Sequence, residues 1–321
     1  TRTESQTMRD YFYFDMWGKI EAWHNVMSLY RTNDFVTYDT ATDYSFYQLF
    51  YGCTSLTKAP ALPATTLAQY CYSDMFRDCT ALTKAPALPA TTLAPKCYAN
   101  MFNGCALLTK APALPATALA DYCYQNMFRD CISLVNAPAL PATTLAQSCY
   151  SSMFFGCTSL TKAPALPATT LATSCYLGMF YGCTSLSEAP ALTATTLAPK
   201  CYTNMFGGCT SLTKAPALPA TTLAQECYQF MFQVCTSLTK SPELTATTLA
   251  QSCYSNMFNG CSSLNKVRCE IPSSYSSNNI SSYASNWLYH VSSTGTFYTN
   301  ADANWPSGSS GIPNGWTRSN I

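Results

Sequence analysis

The sequence predicts an α/β repeat solenoid: a rod of stacked coils, each supplying one short strand to a narrow parallel sheet and one helical segment to the opposite side. Three observations lead there. The string CTSLTKAPALPATTLAQYCYSDMFRD begins at Cys53, and close copies begin at Cys79, Cys105, Cys131, Cys157, Cys183, Cys209 and Cys235, a period of 26 residues. The chain is 48% hydrophobic and only 10% charged, against roughly 25% charged in an ordinary globular domain, which excludes disorder for most of it. Its 321 residues include 18 Cys, 19 Pro and 22 Tyr, which is not the usage of the two ordinary cores that about 150 residues per domain would suggest.

The elements of one unit follow from its chemistry. Leu67, Cys71, Met75 and Cys79 are four residues apart, and Ala68, Tyr72 and Phe76 widen the stripe. This spacing predicts an amphipathic helix. Across the copies the positions equivalent to 67, 68, 71, 72, 75, 76 and 79 hardly change, whereas those equivalent to 69, 70, 73, 74, 77 and 78 change almost every time, so the constant set faces the stack. Thr65 or Thr66 is placed to cap the start of this helix, and the Gly or Asp before the next Cys suits its end. In the other half, Pro60 lacks a ladder donor and Pro63 turns the chain out of the strand. Two or three paired residues around Thr57–Ala59 are expected in each coil, with Leu56, Ala59 and Leu62 inward. At about 4.8 Å per strand, eight coils make a rod of roughly 40 Å.

At these residues the chain resembles a known family. The pattern MFxGCTSLTxAPxLPATTLAxxCYxxMF, sustained over 53–264, is similar to the BspA-like leucine-rich repeats of bacterial surface and secreted proteins, which are also met on phage. The flanks GKIEAWHNVMSLY (18–30) and TGTFYTNADANWPSGSSGIPNGWT (294–317) resemble the segments that open and close such arrays. The expected organisation is an N-terminal cap with a degenerate first coil (1–52), a leucine-rich-repeat-type right-handed solenoid of eight repeats and a partial ninth (53–264), and a C-terminal cap (265–321). The resemblance implies short parallel strands, a helical convex side, β-rich caps, an extracellular or cell-surface location, and recognition or adhesion without catalysis. It carries over no ligand-binding residue.

All five Trp lie outside the repeats: Trp17 and Trp23 before them, and Trp287, Trp305 and Trp316 after. Lids over the open ends of the core are the favoured reading, and an aromatic carbohydrate platform is the alternative. Alternating aromatic strands are expected within 8–40 and again at SNWLYHV and GTFYT in 283–299. The cysteines form two columns, one beginning at Cys53 and one at Cys71, with Cys269 apart. Free buried thiols acting as small apolar residues are favoured. A bond from Cys71 to Cys79 is too long across two regular helical turns, and disulfides between neighbouring coils or a metal remain the alternatives.

Two surfaces are candidates for binding. Lys58, Lys84, Lys110, Lys162, Lys214, Lys240 and Lys266 recur on the strand, interrupted by Asn136 and Glu188. That row is either a solvated stripe that blocks edge pairing or a groove for an anionic glycan or acidic partner. The variable helical face offers Tyr70, Tyr122, Phe155, Tyr181 and Phe230 as exposed aromatic anchors, and it is the favoured of the two, because the copies differ there while a uniform lysine row cannot distinguish one partner from another. With 17 Lys plus Arg against 16 Asp plus Glu, no global field favours nucleic acid. No apolar run approaches the roughly 18 residues of a spanning helix, so no direct membrane insertion is expected, and TRTESQTMRD is neither a signal peptide nor an initiator methionine.

Only His24 and His290 exist, and no nucleophile elbow, phosphate loop, paired carboxylates or histidine metal motif is found, so no cofactor, metal or catalytic residue is expected. The expected function is a non-enzymatic module that binds a protein or glycan ligand at a cell surface. The alternatives are a structural spacer or phage tail-fibre segment and, more remotely, a hydrolase with its site in 270–321.

Overall fold

The computed structural model describes residues 20–22, 25–29, 39–272, 275 and 277–321. The 26-residue period is realised as stacked coils, with backbone bonds joining each coil to the next at sequence offsets near 26, such as Tyr72 N to the Cys97 carbonyl. At the start, β1 (Ile20–Glu21) pairs in parallel with β2 (Leu56–Lys58). In the middle of the array the strand shrinks to single parallel bridges, Lys110 to Asn136, Lys162, Glu188 and Lys214 in turn. The expected two or three paired residues per coil are therefore present in β2 but not there, where one residue of each coil is paired along this line. A second line of bridges runs through the threonines, from Thr40 to Thr66 to Thr92, and again at Thr170 to Thr196 and Thr222 to Thr248.

Toward the C-terminus the ladder widens into a four-stranded parallel sheet in the order β3 (Lys240–Leu244), β4 (Lys266–Cys269), β5 (Gly295–Thr299), β6 (Trp316–Asn320). The register slips between Lys240 and Glu243, around Pro242, which has no N–H to give. A helix of seven residues, α1 (Ser277–Tyr283), precedes the last turn segment.

The predicted helix at the Cys-Tyr segment is not formed. Residues 69–78 are consecutive turns. Within a coil, Cys71 N, Ser73 N, Met75 N, Arg77 N and Cys79 N each donate to the carbonyl three residues back, at 3.1–3.3 Å. Between coils, Tyr70, Tyr72, Asp74, Phe76 and Asp78 donate to the carbonyls of Pro95, Cys97, Ala99, Met101 and Asn103, at 2.7–3.2 Å. Alternate residues thus serve the turn and the neighbouring coil, and both backbone groups are used. Every fourth residue is left-handed, Tyr70 at φ 56°, Asp74 at 55° and Asp78 at 60°, at the third position of a turn that requires φ > 0 there. An α-helix advances about 40° beyond a full circle every four residues, so a strict period of four would wander round it. The turn ribbon keeps the same pairs inward without drift.

Thr65 and Thr66 accordingly cap no helix. Both amides donate to the Asp39 carbonyl of the preceding coil, at 2.9 and 3.3 Å. SNWLYHV is likewise turn ribbon rather than strand, with Asn286 and His290 left-handed at φ 51° and 57°, whereas GTFYT forms β5 as expected. Val26–Leu29, inside the expected strand HNVMSLY, is a 3-10 turn. Trp17, Trp23, His24 and most of the aromatic strands expected in 8–40 lie outside the described residues.

The inward pairs build two aromatic columns. Phe46 and the eight tyrosines from Tyr72 to Tyr254 stack with centroids 5.5–6.0 Å apart. The phenylalanines from Phe50 to Phe258 do the same at 5.5–5.7 Å, within the range where offset rings attract. Both columns end on Trp287, at 6.3 and 6.4 Å, and Trp287 in turn stacks on Trp305 at 5.3 Å. Trp287, Trp305 and Trp316 are all buried, so none of the three offers an open carbohydrate platform.

All 18 cysteines are free and buried. The column that includes Cys79 and Cys131 has a second role: Cys131 Sγ donates to the Phe102 carbonyl at 3.1 Å, and its equivalents from Cys79 to Cys261 repeat this contact. That carbonyl also accepts from Cys105 N at 3.1 Å, so the thiol occupies its second lone pair.

Candidate functional site

The strand face carries the lysine row as the sequence places it. Lys58, Lys84, Lys110, Lys162, Lys214, Lys240 and Lys266 are all exposed, and Lys240 stands directly opposite Lys266 in the sheet register. Among the described residues Lys84, Lys110, Lys162, Lys214, Lys240 and Lys266 form no ion pair. Where lysines occupy consecutive coils their backbones are one strand spacing apart, about 4.8 Å, so their like charges repel mildly, and an anion bridging them relieves that repulsion.

The turn face differs from the expectation. Tyr70, Tyr122, Phe155, Tyr181 and Phe230 are half-buried rather than exposed, because positions 26 residues apart fall one above another and pack together. Tyr44 stacks on Tyr70 at 4.7 Å. Lys96 Nζ donates to the Tyr70 hydroxyl at 2.7 Å and lies 5.0 and 5.3 Å from the Tyr70 and Tyr122 ring centres. The Tyr70 hydroxyl, holding the ammonium, raises the Lys96 pKa. Further along the same column Lys200 pairs with Glu226 at 3.4 Å. A parallel column places Arg129 4.2 Å above the Phe155 ring, with Phe155 stacked 4.7 Å from Tyr181. The Tyr181 ring in turn covers Gly207, where a Cβ would lie 2.8 Å from it. Phe230 belongs to neither column; it occupies a left-handed turn position at φ 56°.

The aromatic side chains therefore serve one another, and the cations among them are used within the chain. Lys96 and Arg129 were missed as members of these columns, though reading the sequence vertically in steps of 26 would have found them. Also missed were Arg268 and Tyr298, for which no repeat gives a signal. His290 is exposed and stacks on Tyr289 at 3.8 Å. Among the described residues no group of three or more His, Cys, Asp and Glu could hold a metal ion, and no helix is long and apolar enough to cross a membrane.

Stacked coils of constant period, joined by parallel bridges and displaying variable outer positions, define a leucine-rich-repeat protein. The family model for the BspA-type leucine-rich repeat region, in 6 copies, matches residues 98–216 and 179–299, and the chain belongs to that family. Among solved structures it is similar to a leucine-rich repeat protein from Bacteroides ovatus ATCC 8483, at 15% identity and a TM-score of 0.32 over 86% of each chain. No curated protein matches the chain. Proteins of this repeat class serve as interaction modules and are generally not enzymes.

Proposed function

We propose that the chain is a non-enzymatic recognition and adhesion module, working outside the cell or at its surface, that binds a protein or glycan ligand through the outer side chains of its coils. The observation that carries this reading is the division of labour within each unit. Inward positions repeat the same Cys, Tyr, Met and Phe throughout, and every exposed position is thereby released from packing. Between the two faces, the lysine row is the better candidate for contact, since Lys84, Lys110, Lys162, Lys214, Lys240 and Lys266 are exposed and form no ion pair among the described residues, whereas Tyr70, Tyr122, Phe155 and Tyr181 already engage neighbours. The BspA-type membership supports the surface location.

The test is a glycan-array and surface-protein pull-down screen with the whole chain. Saturable binding, weakened by charge reversal within the lysine row but not by Tyr122→Ala with Phe155→Ala, is the expected result. The reverse pattern would move the site to the turn face. Absence of any saturable ligand would favour a spacer that holds another domain at a distance.

A further inference from the structure

We infer that the strand face at the C-terminal end of the array, where Lys214, Lys240 and Lys266 stand in consecutive coils, binds a linear acidic glycan bearing carboxylate or sulfate groups; this deepens the recognition reading above and rests on it. Two recesses lie there. One, of about 400 Å³, is lined by residues of the 213–219 and 240–245 segments, among them Lys214, Leu218, Pro219 and Pro242. The other, of about 280 Å³, is lined by Lys240, Glu243, Lys266, Val267, Arg268 and Tyr298. They share Lys240 and Glu243, so one trough crosses three coils beside three ammonium groups.

The trough arises where the repeat departs from its pattern. SPELTATT at 241–248 replaces APALPATT, and the β3–β4 register slips around Pro242, where Arg268 N donates to the Ser241 hydroxyl oxygen at 3.1 Å. Its charge is positive. Arg268 is bonded to Glu270 at 2.7 Å and lies 4.0 Å from Glu243, so Lys214, Lys240, Lys266 and Arg268 outnumber the two carboxylates, and the three lysines form no ion pair among the described residues.

Geometry selects the ligand class. Lys214, Lys240 and Lys266 stand in consecutive coils whose backbones are about 4.8 Å apart, so their positive charge runs in a line across the coils, as a linear polyanion requires. An extended acidic peptide matches the charge but has no ring C–H face to lay against an apolar wall. The apolar lining from Leu218, Pro219 and Pro242, with the Tyr298 ring at the far end, suits the C–H faces of sugar rings.

The experiment is calorimetric titration of the whole chain with four probes: a hexagalacturonate, a heparin-derived hexasaccharide, neutral cellohexaose and a poly-glutamate peptide. One or both acidic sugars should bind, which separates carboxylate from sulfate recognition, and cellohexaose and poly-glutamate should not. Lys240→Glu with Lys266→Glu should weaken binding by about tenfold or more, and Lys58→Glu with Lys84→Glu by less than about twofold. Unchanged thermal unfolding of both variants shows that the exposed reversals leave the fold intact. Equal losses from the two variants, or poly-glutamate binding as tightly as the sugars, would overturn the site. Failure of all four probes would overturn it too, while leaving the broader recognition reading to stand or fall on the ligand screen.

Discussion

At the residue scale the cysteines carry the most information, because the two columns use the same side chain differently. Cys131 Sγ has an acceptor in the Phe102 carbonyl, whereas Cys123 is fully buried with no acceptor for its S–H among the described residues. A serine hydroxyl at 131 inherits the acceptor; at 123 it does not, and burying an unmatched donor costs roughly 1–3 kcal/mol. Cys123→Ser should therefore destabilise the chain by about that amount, and clearly more than Cys131→Ser, as read from urea unfolding midpoints. Equal losses would mean that the thiol contact to the carbonyl contributes nothing.

Burial also sets a pH dependence. Desolvation pushes the thiols of Cys97, Cys149 and Cys201 up to about 12 and drives the Tyr98 and Tyr124 hydroxyls upward as well. An unfolded thiol titrates near 8.5, so from that pH upward the unfolded chain loses protons that the folded chain retains. Stability should be flat with respect to these groups below about pH 8, then fall toward pH 12 by up to about 1.4 kcal/mol per pH unit for each thiol involved. Chemical denaturation at pH 7, 9 and 10.5 checks this, and a flat profile to pH 10.5 would show that the columns are solvated.

At the scale of the element, the turn ribbon depends on a left-handed residue every fourth position. Gly52, Gly104, Gly156, Gly182, Gly208 and Gly260 fill one such column, and Val234 occupies it at φ 58°. A left-handed conformation costs a β-branched residue roughly 1–2 kcal/mol, partly offset by the entropy that glycine loses on folding, about 0.5–1 kcal/mol. Val234→Gly should accordingly stabilise the chain by roughly 0.5–1 kcal/mol. Gly156→Val should do the opposite and by more, since a Cβ there runs into the Asp130 carboxylate. Thermal unfolding of the two variants reads both signs.

At the scale of the whole molecule, contacts join each coil to its neighbours, so stability should be close to a sum of coil and interface contributions. Excising residues 131–156, one full period between equivalent cysteines, should leave a folded, shorter rod with the same spectroscopic signature. Trp287 is the exception to this modularity, because it closes the Tyr column and the Phe column together. Trp287→Ala should cost about 3–5 kcal/mol, with faster amide exchange concentrated in the last coils rather than spread along the rod. Uniform loss of protection would show that the array unfolds as one unit.

The repeat by itself determined the period, the inward set and the order of the units. A 26-residue copy can stack only if equivalent positions meet, and apolar side chains that recur at every level must form the interior. It also determined the lysine row and the buried state of the cysteines, for the same reason. The backbone of the Cys-Tyr segment was decided by the tertiary structure. A spacing of four fits a helical turn locally, but half of its amides bond to the next coil, a partner that no single unit contains. The recurring Gly, Asn and Asp at positions equivalent to 74 and 78 were the local sign of this; those at 78 read as helix-ending residues, because left-handed geometry is usual there too. The partnering of Tyr70, Tyr122, Phe155 and Tyr181 and the trough beside Lys240 were likewise decided in three dimensions. Each depends on which side chain lies one coil above another, and in the trough on strands β4 and β5, which lie beyond the regular repeats and follow none of their spacing.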